Sequence, residues 1–410
     1  MKRLQRVSVF LVFDRSGEME VGELILREKE IFFQYHPAFL ETGLEISPFK
    51  LPLAAGIRKP DTQIFDGLFG VFNDSLPEGW GRLLLDRALL QRGISPGEIS
   101  PLDRLSLLGP NGMGALIYRP QGLSLAEVEE RLELSYVARE AKKILEGSSS
   151  DVLEELVQLG GSSGGARPKI LVGYNPQSDH LIYGQEILPE GYEHWIIKFP
   201  ATNDFSDIAQ IEYAYYQMAI DAGIEMSVSR LFEGASGDFY FGTKRFDRQG
   251  NRRLHLHSAS GLLHDNFRLS NMDYGHLMDA AFRLENHIGA YEKVLRIAAF
   301  NVFAHNRDDH SKNFSFLMDK SGKWRLAPAY DLTFSASAHG FHSTTVAGEG
   351  KSPDSRHLLE LAGIFDLDSA KAKTLIGEVQ AVVQNWSHYA ESAGVSSSHK
   401  KDIDKVLAGG

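Results

Sequence analysis

Three polar residues in the last third of the chain have the types and the spacing that phosphoryl transfer requires. Asp308 and Asn313 are five residues apart, and Asp331 follows eighteen residues after Asn313. An aspartate can orient an attacking hydroxyl and accept its proton, while an asparagine amide and a second aspartate hold metal ions on the phosphates of ATP. We therefore interpret Asp308 as catalytic and Asn313 and Asp331 as Mg²⁺ ligands. The alternative is a polar loop in which these side chains only cap and turn the backbone.

The elements predicted around this stretch are suited to holding it in place. Residues 290–304 carry apolar side chains at helical spacing, which predicts a helix before the loop. Residues 314–318 alternate as a strand does, residues 319–322 form a turn, and residues 323–326 return as a second strand. A helix and a hairpin are thus expected to support the loop from both ends.

The residues of this stretch resemble the HipA family of bacterial toxin kinases. The matching runs are H-N-R-D-D-H-S-K-N-F-S-F at 305–316 and L-A-P-A-Y-D-L at 326–332. The resemblance implies an α+β, bilobal kinase-like fold with an additional small N-terminal α+β module and a mostly helical C-lobe. It also implies a serine/threonine protein kinase that uses ATP and Mg²⁺ and acts as the toxin of a type II toxin–antitoxin pair. Family members phosphorylate aminoacyl-tRNA synthetases and are neutralised by a helix-turn-helix antitoxin (HipB-like) that binds operator DNA.

A second informative stretch is the glycine-rich run G-G-S-S-G-G-A-R-P-K at 160–169, which enters an apolar strand at 170–174. Glycines let backbone amides approach a phosphate closely, and serines add donors. A flexible linker is the alternative. The position before a strand and the likeness to the family's phosphate loop favour nucleotide binding by Ser163, Gly164, Gly165, Ala166 and Lys169. The same match puts Ser162 where the family carries an autophosphorylated serine, with the adjacent Ser163 as the other candidate.

The strand W-I-I-K-F-P at 195–200 presents Lys198 as a kinase N-lobe presents a lysine to the ATP phosphates. A solvated lysine is the plainer alternative. Glu212, on a predicted helix at 207–222, is either the partner of Lys198 or exposed. Lys312 can neutralise charge that develops on the transferred group, so we assign it to catalysis and to nucleotide binding. His310, which we also include among the nucleotide-binding residues, either orients the loop or packs beneath it.

The run K-R-F-D-R at 244–248 resembles the family's hinge over adenine. We assign Lys244, Phe246 and Asp247 to nucleotide binding, with Asp247 as the partner of the ribose. The basic residues at 245, 248, 252 and 253 lack interleaved aromatic residues, which favours a charged hinge or a docking surface over nucleic-acid binding. The histidines at 255, 257 and 264 lack an acidic third ligand at a regular spacing, so a zinc site is not expected there.

Residues 1–120 are predicted to form the N-terminal module, with no chemistry of its own. Strands are predicted at 7–13, 21–27, 30–35 and 48–53. Residues 73–75, N-D-S, should cap the helix that follows. The glycines at 109, 112 and 114 indicate a tight turn into a strand at 115–118. Residues 121–248 then form the kinase N-lobe with the phosphate loop and the ATP-facing strands, and residues 249–410 form the helical C-lobe with the catalytic loop.

Composition limits the remaining classes of protein. The 410 residues are 43% hydrophobic and 24% charged, which is ordinary for a soluble globular chain of two or three domains. The lack of cysteine excludes disulfides and thiolate zinc sites and suits a reducing cytosol. The first residues lack the features of a signal peptide, and no apolar run approaches a membrane-spanning length, so we expect a cytoplasmic protein with no membrane contact. The net charge of −11 argues against binding DNA without a basic partner.

Two other functions stay open at this point. A D-x-x-x-x-N loop does not determine which kind of molecule accepts the phosphoryl group, so a small-molecule or lipid kinase is the first alternative. A non-catalytic module that acts as a corepressor with an antitoxin is the second. The intact set of Asp308, Asn313 and Asp331 argues against the second alternative, because no structural role requires all three residues.

Overall fold

A computed structural model describes residues 4–61, 64–108, 112–120, 133–148, 153–160, 164–184, 186–336 and 340–408 of the chain. Within these ranges helices and strands are mixed up to residue 326, and the elements that follow are helices. No helix within these ranges is both long enough and apolar enough to cross a membrane.

The first sheet is antiparallel, with the strand order β4-β3-β2-β1-β5. Its strands are β1 (Arg6–Leu11), β2 (Met19–Arg27), β3 (Glu30–Tyr35), β4 (Ile57–Arg58) and β5 (Leu116–Arg119). The predicted strands at 7–13, 21–27, 30–35 and 115–118 are present within a few residues. The predicted strand at 48–53 is wrong, because prolines at 48 and 52 lack an N–H and Leu51 N–H donates to Ser47 O (2.9 Å) in a turn.

The second sheet is also antiparallel and has the order β7-β6-β8-β10-β9. Its strands are β6 (Lys169–Asn175), β7 (His180–Tyr183), β8 (Glu193–Lys198), β9 (Ser229–Glu233) and β10 (Phe239–Lys244). Side chains alternate between the two faces of a strand, so Lys169 and Leu171 of β6 share a face. The opposite face of the same strand packs Ile170 and Val172 into a hydrophobic core.

Two smaller units follow the second sheet. A ribbon pairs β11 (Arg248–Gln249) with β12 (Arg252–Arg253), and a third sheet joins β13 (His255–Ser258), β14 (Ser315–Met318) and β15 (Trp324–Leu326). β14 and β15 form the hairpin predicted after the catalytic loop.

The described helices lie mostly in the second half of the chain, as predicted for a helical C-lobe. They are α1 (Pro37–Leu40), α2 (Gly70–Asn73), α3 (Gly79–Gln91), α4 (Pro101–Ser106), α5 (Leu134–Leu145), α6 (Leu153–Gly160), α7 (Ile208–Asp221), α8 (Ala259–Leu263), α9 (Tyr274–Glu285), α10 (Gly289–Phe303), α11 (Ser355–Ile364), α12 (Ser369–Gln384), α13 (Trp386–Ser392) and α14 (Ser397–Leu407). The predicted cap at 73–75 is wrong: residue 74 follows α2, and α3 begins only at residue 79. Lys198 of the second sheet meets Asp331 of the C-lobe in an ion pair, and we call the place where the two lobes meet the cleft.

The hydrophobic cores join the N-terminal region to both lobes. One core contains Val9 of the first sheet and Phe300 of α10. Another contains Trp80 of α3 together with Val137 of α5 and Trp195 of the second sheet. Helix α3 therefore packs on the kinase N-lobe, while the first sheet packs on the C-lobe. The N-terminal region is thus attached to both walls of the cleft.

Candidate active site

The catalytic loop, residues 304–314, lies between α10 and β14. After the helix, His305 turns the chain with a φ of +53°. The loop then pairs with the segment that follows Asp331. Arg307 N–H donates to Ser335 O (3.1 Å), and Ser335 N–H donates to the oxygen of His305 (3.1 Å). This backbone pairing brings the catalytic loop beside the segment that carries the second predicted metal ligand.

Two adjacent aspartates in this loop have opposite environments. The side chain of Asp308 is 65% exposed, whereas that of Asp309 is fully buried. Tyr274 donates its hydroxyl to Asp309 (2.9 Å), and His342 Nδ1 lies 3.0 Å from the same oxygen. Ser343 N–H donates to the other carboxylate oxygen (2.8 Å). Asp309 therefore anchors the loop. Sequence reasoning missed this residue, for which the doubled aspartate was the available signal.

The surroundings of Asp308 raise the pKa of its carboxyl group. Partial desolvation is the main cause and the charge of Asp331 adds to it, while His310 opposes both. His310 Nε2 lies 3.9 Å from Asp308 Oδ1, and its ring packs on Phe267 with centroids 5.3 Å apart. Of the two roles predicted for His310, orienting the loop or packing beneath it, the contact with Phe267 corresponds to packing. A carboxylate with a raised pKa is a more effective proton acceptor near neutral pH.

Asn313 and Asp331 are tied to the same loop. Asn313 Nδ2 donates to the backbone oxygen of Asp308 (2.7 Å). Tyr330, the residue before Asp331, donates its hydroxyl to the backbone oxygen of Lys312 (2.7 Å). Asp331 itself has a φ of +53°, a left-handed conformation that aspartate tolerates better than most residues do.

Lys198, at the end of β8, contacts carboxylates on both sides of the cleft. Its ammonium pairs with Asp331 and lies 3.2 Å from Glu212 Oε1 on α7. Glu212 is thus the partner of Lys198, which is the first of the two alternatives that the sequence left open. Burial alone would lower the pKa of Lys198, but these two carboxylates raise it. Burial alone would raise the pKa of Asp331, but the charge of Lys198 holds that pKa well below its usual range.

Arg167 joins this group of charges from the glycine-rich run. Its guanidinium lies 2.8 Å from Glu212 and 3.0 Å from Asp204, so Glu212 bridges two cations. The sequence did not single out Arg167. Its position inside the run G-G-A-R-P-K was the signal that could have indicated it.

Lys169, the first residue of β6, brings a third cation towards the same site. Its ammonium donates to Gly164 O (2.5 Å). Burial lowers the pKa of Lys169 to about 8. The positive charges of Lys198 and Arg167 also lower this pKa, whereas the negative charge of Asp331 raises it. Among Arg167, Lys169 and Lys198, only the ammonium of Lys169 donates to a backbone oxygen, whereas the other two cations pair with carboxylates.

The glycine loop is described from Gly164 onwards, and Ser162 and Ser163 lie outside the described residues. Gly164, Gly165 and Ala166 are exposed. Gly165 has a φ of +84°, and a Cβ added to it would lie 2.7 Å from Lys169 Nζ. The positive φ favours glycine at this position, while the lysine end could move away from an added Cβ.

Lys312 does not extend freely into the cleft. Its ammonium lies 2.8 Å from Asp74 Oδ1 and 3.1 Å from Glu78 Oε1, and its side chain is 12% exposed. Both carboxylates belong to the N-terminal region, which was expected to have no part in the site. Sequence reasoning missed both residues, because it interpreted Asp74 as part of a helix cap.

The hinge residues differ in how they face the cleft. Lys244 pairs with Glu193 (2.6 Å), and the ring of Phe246 lies 5.4 Å from that of Tyr330. Asp247 is fully buried. Its carboxylate accepts hydrogen bonds from Arg245 Nε (2.9 Å), Arg248 Nη1 (2.5 Å) and Gly114 N (2.7 Å). The prediction that Asp247 binds ribose is therefore corrected, because its oxygens are occupied and inaccessible.

A cavity beside the hinge extends along the second sheet. Its lining includes Leu171, Gly173 and His194, together with Arg245. Leu171 lies on the same face of β6 as Lys169. Burial and the neighbouring arginines lower the pKa of His194 to about 3, which keeps its imidazole neutral.

The donors at the centre of the site suit Mg²⁺. The described residues contain no group of three or more histidine, cysteine or acidic side chains that could hold a metal by themselves. Magnesium is usually bound through one or two carboxylates, with water and substrate phosphates completing its shell. The carboxylate of Asp331 and the amide oxygen of Asn313 fit that pattern.

Comparisons with known proteins match both halves of the chain. Family models of the HipA N-terminal domain and the HipA-like C-terminal domain match residues 15–119 and 161–386. The serine/threonine-protein kinase toxin HipA of Shewanella oneidensis is 24% identical over 353 residues, covering 77% of this chain and 73% of that protein. A solved complex of Shewanella oneidensis HipA, HipB and operator DNA matches with a TM-score of 0.66 and 18% identity, covering 97% of this chain and 94% of the other.

These matches agree with the geometry of the site. The C-terminal match spans more than half of the chain and contains Asp308, Asn313 and Asp331. The N-terminal match precedes it and contains Asp74 and Glu78. The structural likeness shows the same fold across nearly the whole chain. The chain therefore belongs to the HipA family and is a protein kinase.

Proposed function

We propose that this kinase transfers the γ-phosphoryl group of ATP to a serine or threonine hydroxyl of a protein. The observation that carries the proposal is the arrangement of Asp308, Asn313 and Asp331 opposite the Lys198–Glu212 ion pair. Phosphoryl transfer depends on positioning and on charge neutralisation, and these groups supply both.

In this mechanism Asp308 orients the acceptor hydroxyl and accepts its proton as the oxygen attacks the γ-phosphorus. The bond from the γ-phosphorus to the bridging oxygen breaks, and ADP leaves with that oxygen. Lys198, Lys169 and the amides of 163–166 hold the phosphates. Asn313 and Asp331 would hold Mg²⁺, which neutralises phosphate charge when bound. The ring of Phe246, which packs on Tyr330 at the hinge, contacts the adenine.

We further propose that the protein is the toxin of a type II toxin–antitoxin pair in the cytoplasm. The likeness to a HipA toxin supports this role, and the likeness to a HipA–HipB–DNA complex supports a helix-turn-helix, HipB-like antitoxin that contacts operator DNA. A net charge of −11 favours a basic partner. The protein substrate is a component of translation such as an aminoacyl-tRNA synthetase.

Autophosphorylation of Ser162, or of Ser163, is part of the proposal. A phosphate adds about −1.5 to −2 charges at neutral pH. Beside a site built to take a triphosphate, that charge would repel ATP and reduce its binding.

The test compares the wild type with Asp308→Asn in an assay with radiolabelled ATP. We expect Asp308→Asn to bind ATP normally, because other groups hold the phosphates, yet to lose about 10²- to 10⁴-fold in transfer rate. Asp404→Asn, which changes an exposed carboxylate on α14, should transfer at the wild-type rate. Intact-mass spectrometry after incubation with Mg²⁺ and ATP should show added phosphate in the wild type and in Asp404→Asn, but not in Asp308→Asn.

Near-normal transfer by Asp308→Asn would rule out this mechanism. Transfer by the wild type without any modified loop peptide would remove the autophosphorylation and keep the kinase. Transfer to a lipid or a metabolite, with no protein substrate in the host lysate, would support the small-molecule alternative.

A further inference from the structure

One short segment of the N-terminal region, residues 74–80, contacts both loops of the site. Asp74 and Glu78 lie 2.8 Å and 3.1 Å from the ammonium of Lys312 in the catalytic loop. Two residues after Glu78, Trp80 N–H donates to Gly165 O (3.0 Å) in the glycine loop, and its indole N–H donates to the backbone oxygen at 169 (3.2 Å). Seven consecutive residues thus join the two loops.

Asp74 is held more firmly than a surface partner of a lysine would be. It accepts hydrogen bonds from Ser258 N (2.7 Å) and Ser258 Oγ (2.6 Å), and His257 Nδ1 lies 2.6 Å from the same carboxylate. The other ring nitrogen of His257 lies 2.9 Å from Ser47 Oγ. Because these partners belong to β13 and to buried core segments, the Asp74 carboxylate is a fixed point against which Lys312 is held.

Backbone packing also fixes the segment. A Cβ added to Gly79 would lie 2.4 Å from Gly165 O, and a Cβ added to Gly70 would lie 2.1 Å from Gly261 O. Gly79 also has a φ of +47°, which favours glycine. The Gly79 contact ties the segment to the glycine loop, and the Gly70 contact ties α2, which precedes the segment, to α8.

Lys312 is connected to both of the proposed metal ligands. Lys312 precedes Asn313, and its backbone oxygen accepts the hydroxyl of Tyr330, the neighbour of Asp331. Holding the Lys312 side chain therefore restricts Asn313 and Asp331 together.

We propose that Asp74 and Glu78 are positioning residues for phosphoryl transfer, which hold Lys312 so that the catalytic loop and the glycine loop keep one fixed arrangement. The proposal rests on the proposed kinase function. The N-terminal region then contributes to the rate of phosphoryl transfer by positioning the catalytic loop. A misplacement of about 1 Å in a catalytic group can cost on the order of 100-fold in rate, so this restraint has a measurable consequence.

The test measures kcat and the KM for ATP of Glu78→Gln and Asp74→Asn. We expect kcat to fall by about 10-fold in Glu78→Gln and by about 100-fold in Asp74→Asn, with the KM for ATP changed less than about 2-fold. Glu18→Gln, which alters an exposed N-terminal carboxylate paired with Arg119, should keep the wild-type kcat. Folded variants with an unchanged kcat, or with a loss confined to KM, would overturn the proposal.

Two further measurements keep the result decisive. If Asp74→Asn fails to fold, Glu78→Gln decides alone, because Glu78 is partly exposed and its ion pair is with Lys312. If the wild type transfers no phosphate, the kinase proposal fails separately, and hydrogen exchange at the amides of 313 and 331 decides the positioning. Faster exchange in Glu78→Gln supports the restraint, and unchanged exchange overturns it.

Discussion

At the scale of single residues, neighbouring charges in this site perform different tasks because their burial differs. Asp308 is largely exposed, while the next residue, Asp309, is fully enclosed by hydrogen-bond donors. Among the cations, Lys198 touches two carboxylates and its pKa is raised, whereas Lys169 donates to a backbone oxygen and its pKa is lowered to about 8. Charge type alone therefore does not define the role of a residue here.

The lowered pKa of Lys169 predicts a pH-dependent affinity for ATP. Anions bind the protonated amine, so the affinity should be full below pH 8 and should fall as the pH rises above about 8, where the free protein loses this proton. Lys169→Arg keeps its charge over the whole range, since the guanidinium does not titrate, and its affinity should be flat between pH 7 and 9. Titration calorimetry at pH 7, 8 and 9 measures the two profiles.

The matched control for this experiment is Lys373→Arg on the exposed face of α12. It should retain the pH dependence of the wild type. If Lys169→Arg loses affinity with pH as steeply as the wild type does, another group is responsible.

At the scale of elements, the catalytic loop is fixed at several separate points. Asp309 connects it to the segment 342–344, and Lys312 connects it to the N-terminal region. The backbone pairing of Arg307 with Ser335 connects it to the segment that follows Asp331. A loop of irregular structure can hold catalytic groups accurately when buried polar contacts restrain it in this way.

The Asp309 anchor predicts a local loss of stability in Asp309→Asn. The amide nitrogen of asparagine would face the N–H groups of Ser343 or Thr344, or the hydroxyl of Tyr274, and would leave a buried donor unpaired. The expected cost is about 2 kcal/mol, which corresponds to about 30-fold faster hydrogen exchange at the amides of 343 and 344.

Asp308→Asn provides the comparison for this prediction, because the exposed carboxylate of Asp308 is not part of the anchor. Its exchange at residues 343 and 344 should match the wild type. Equal protection in Asp309→Asn would show that the anchor does not stabilise the loop.

At the scale of the whole molecule, the N-terminal region is built into both lobes and is not an appendage. Its sheet shares a core with the C-lobe helices, and Trp80 of its helix α3 shares a core with the second sheet. Residues of the N-terminal region therefore pack against elements on both sides of the cleft.

The proposed toxin role predicts an effect of the whole protein on growth. Expression of the wild type alone should arrest growth and raise uncharged tRNA, because translation would lack a functional synthetase. Asp308→Asn should be tolerated, and co-expression of a helix-turn-helix antitoxin should restore growth to the wild-type strain. Growth curves and tRNA charging in the native host measure both effects. Equal growth of the two strains would favour a metabolic kinase.

The sequence by itself determined the parts of the site that depend on local spacing. Asp308 and Asn313 lie in one loop, and Asp331 follows a short hairpin, so the chain between them has few ways to separate them. Lys198 was identified on an alternating strand, because side chains alternate between the two faces of a strand in any sheet. The confirmed family and the kinase-like fold follow from the same motifs.

Only the tertiary structure decided the contacts made between distant segments. Lys312 meets Asp74 across 238 residues of chain, and no periodicity in the sequence records that pairing. The role of Asp247 was wrong because its burial is a property of the packed molecule: Arg245 and Arg248 are its neighbours in sequence, but Gly114, which also donates to it, is 133 residues away. Charged side chains carry no local signal of their partner, since an ion pair depends on the final positions of both groups.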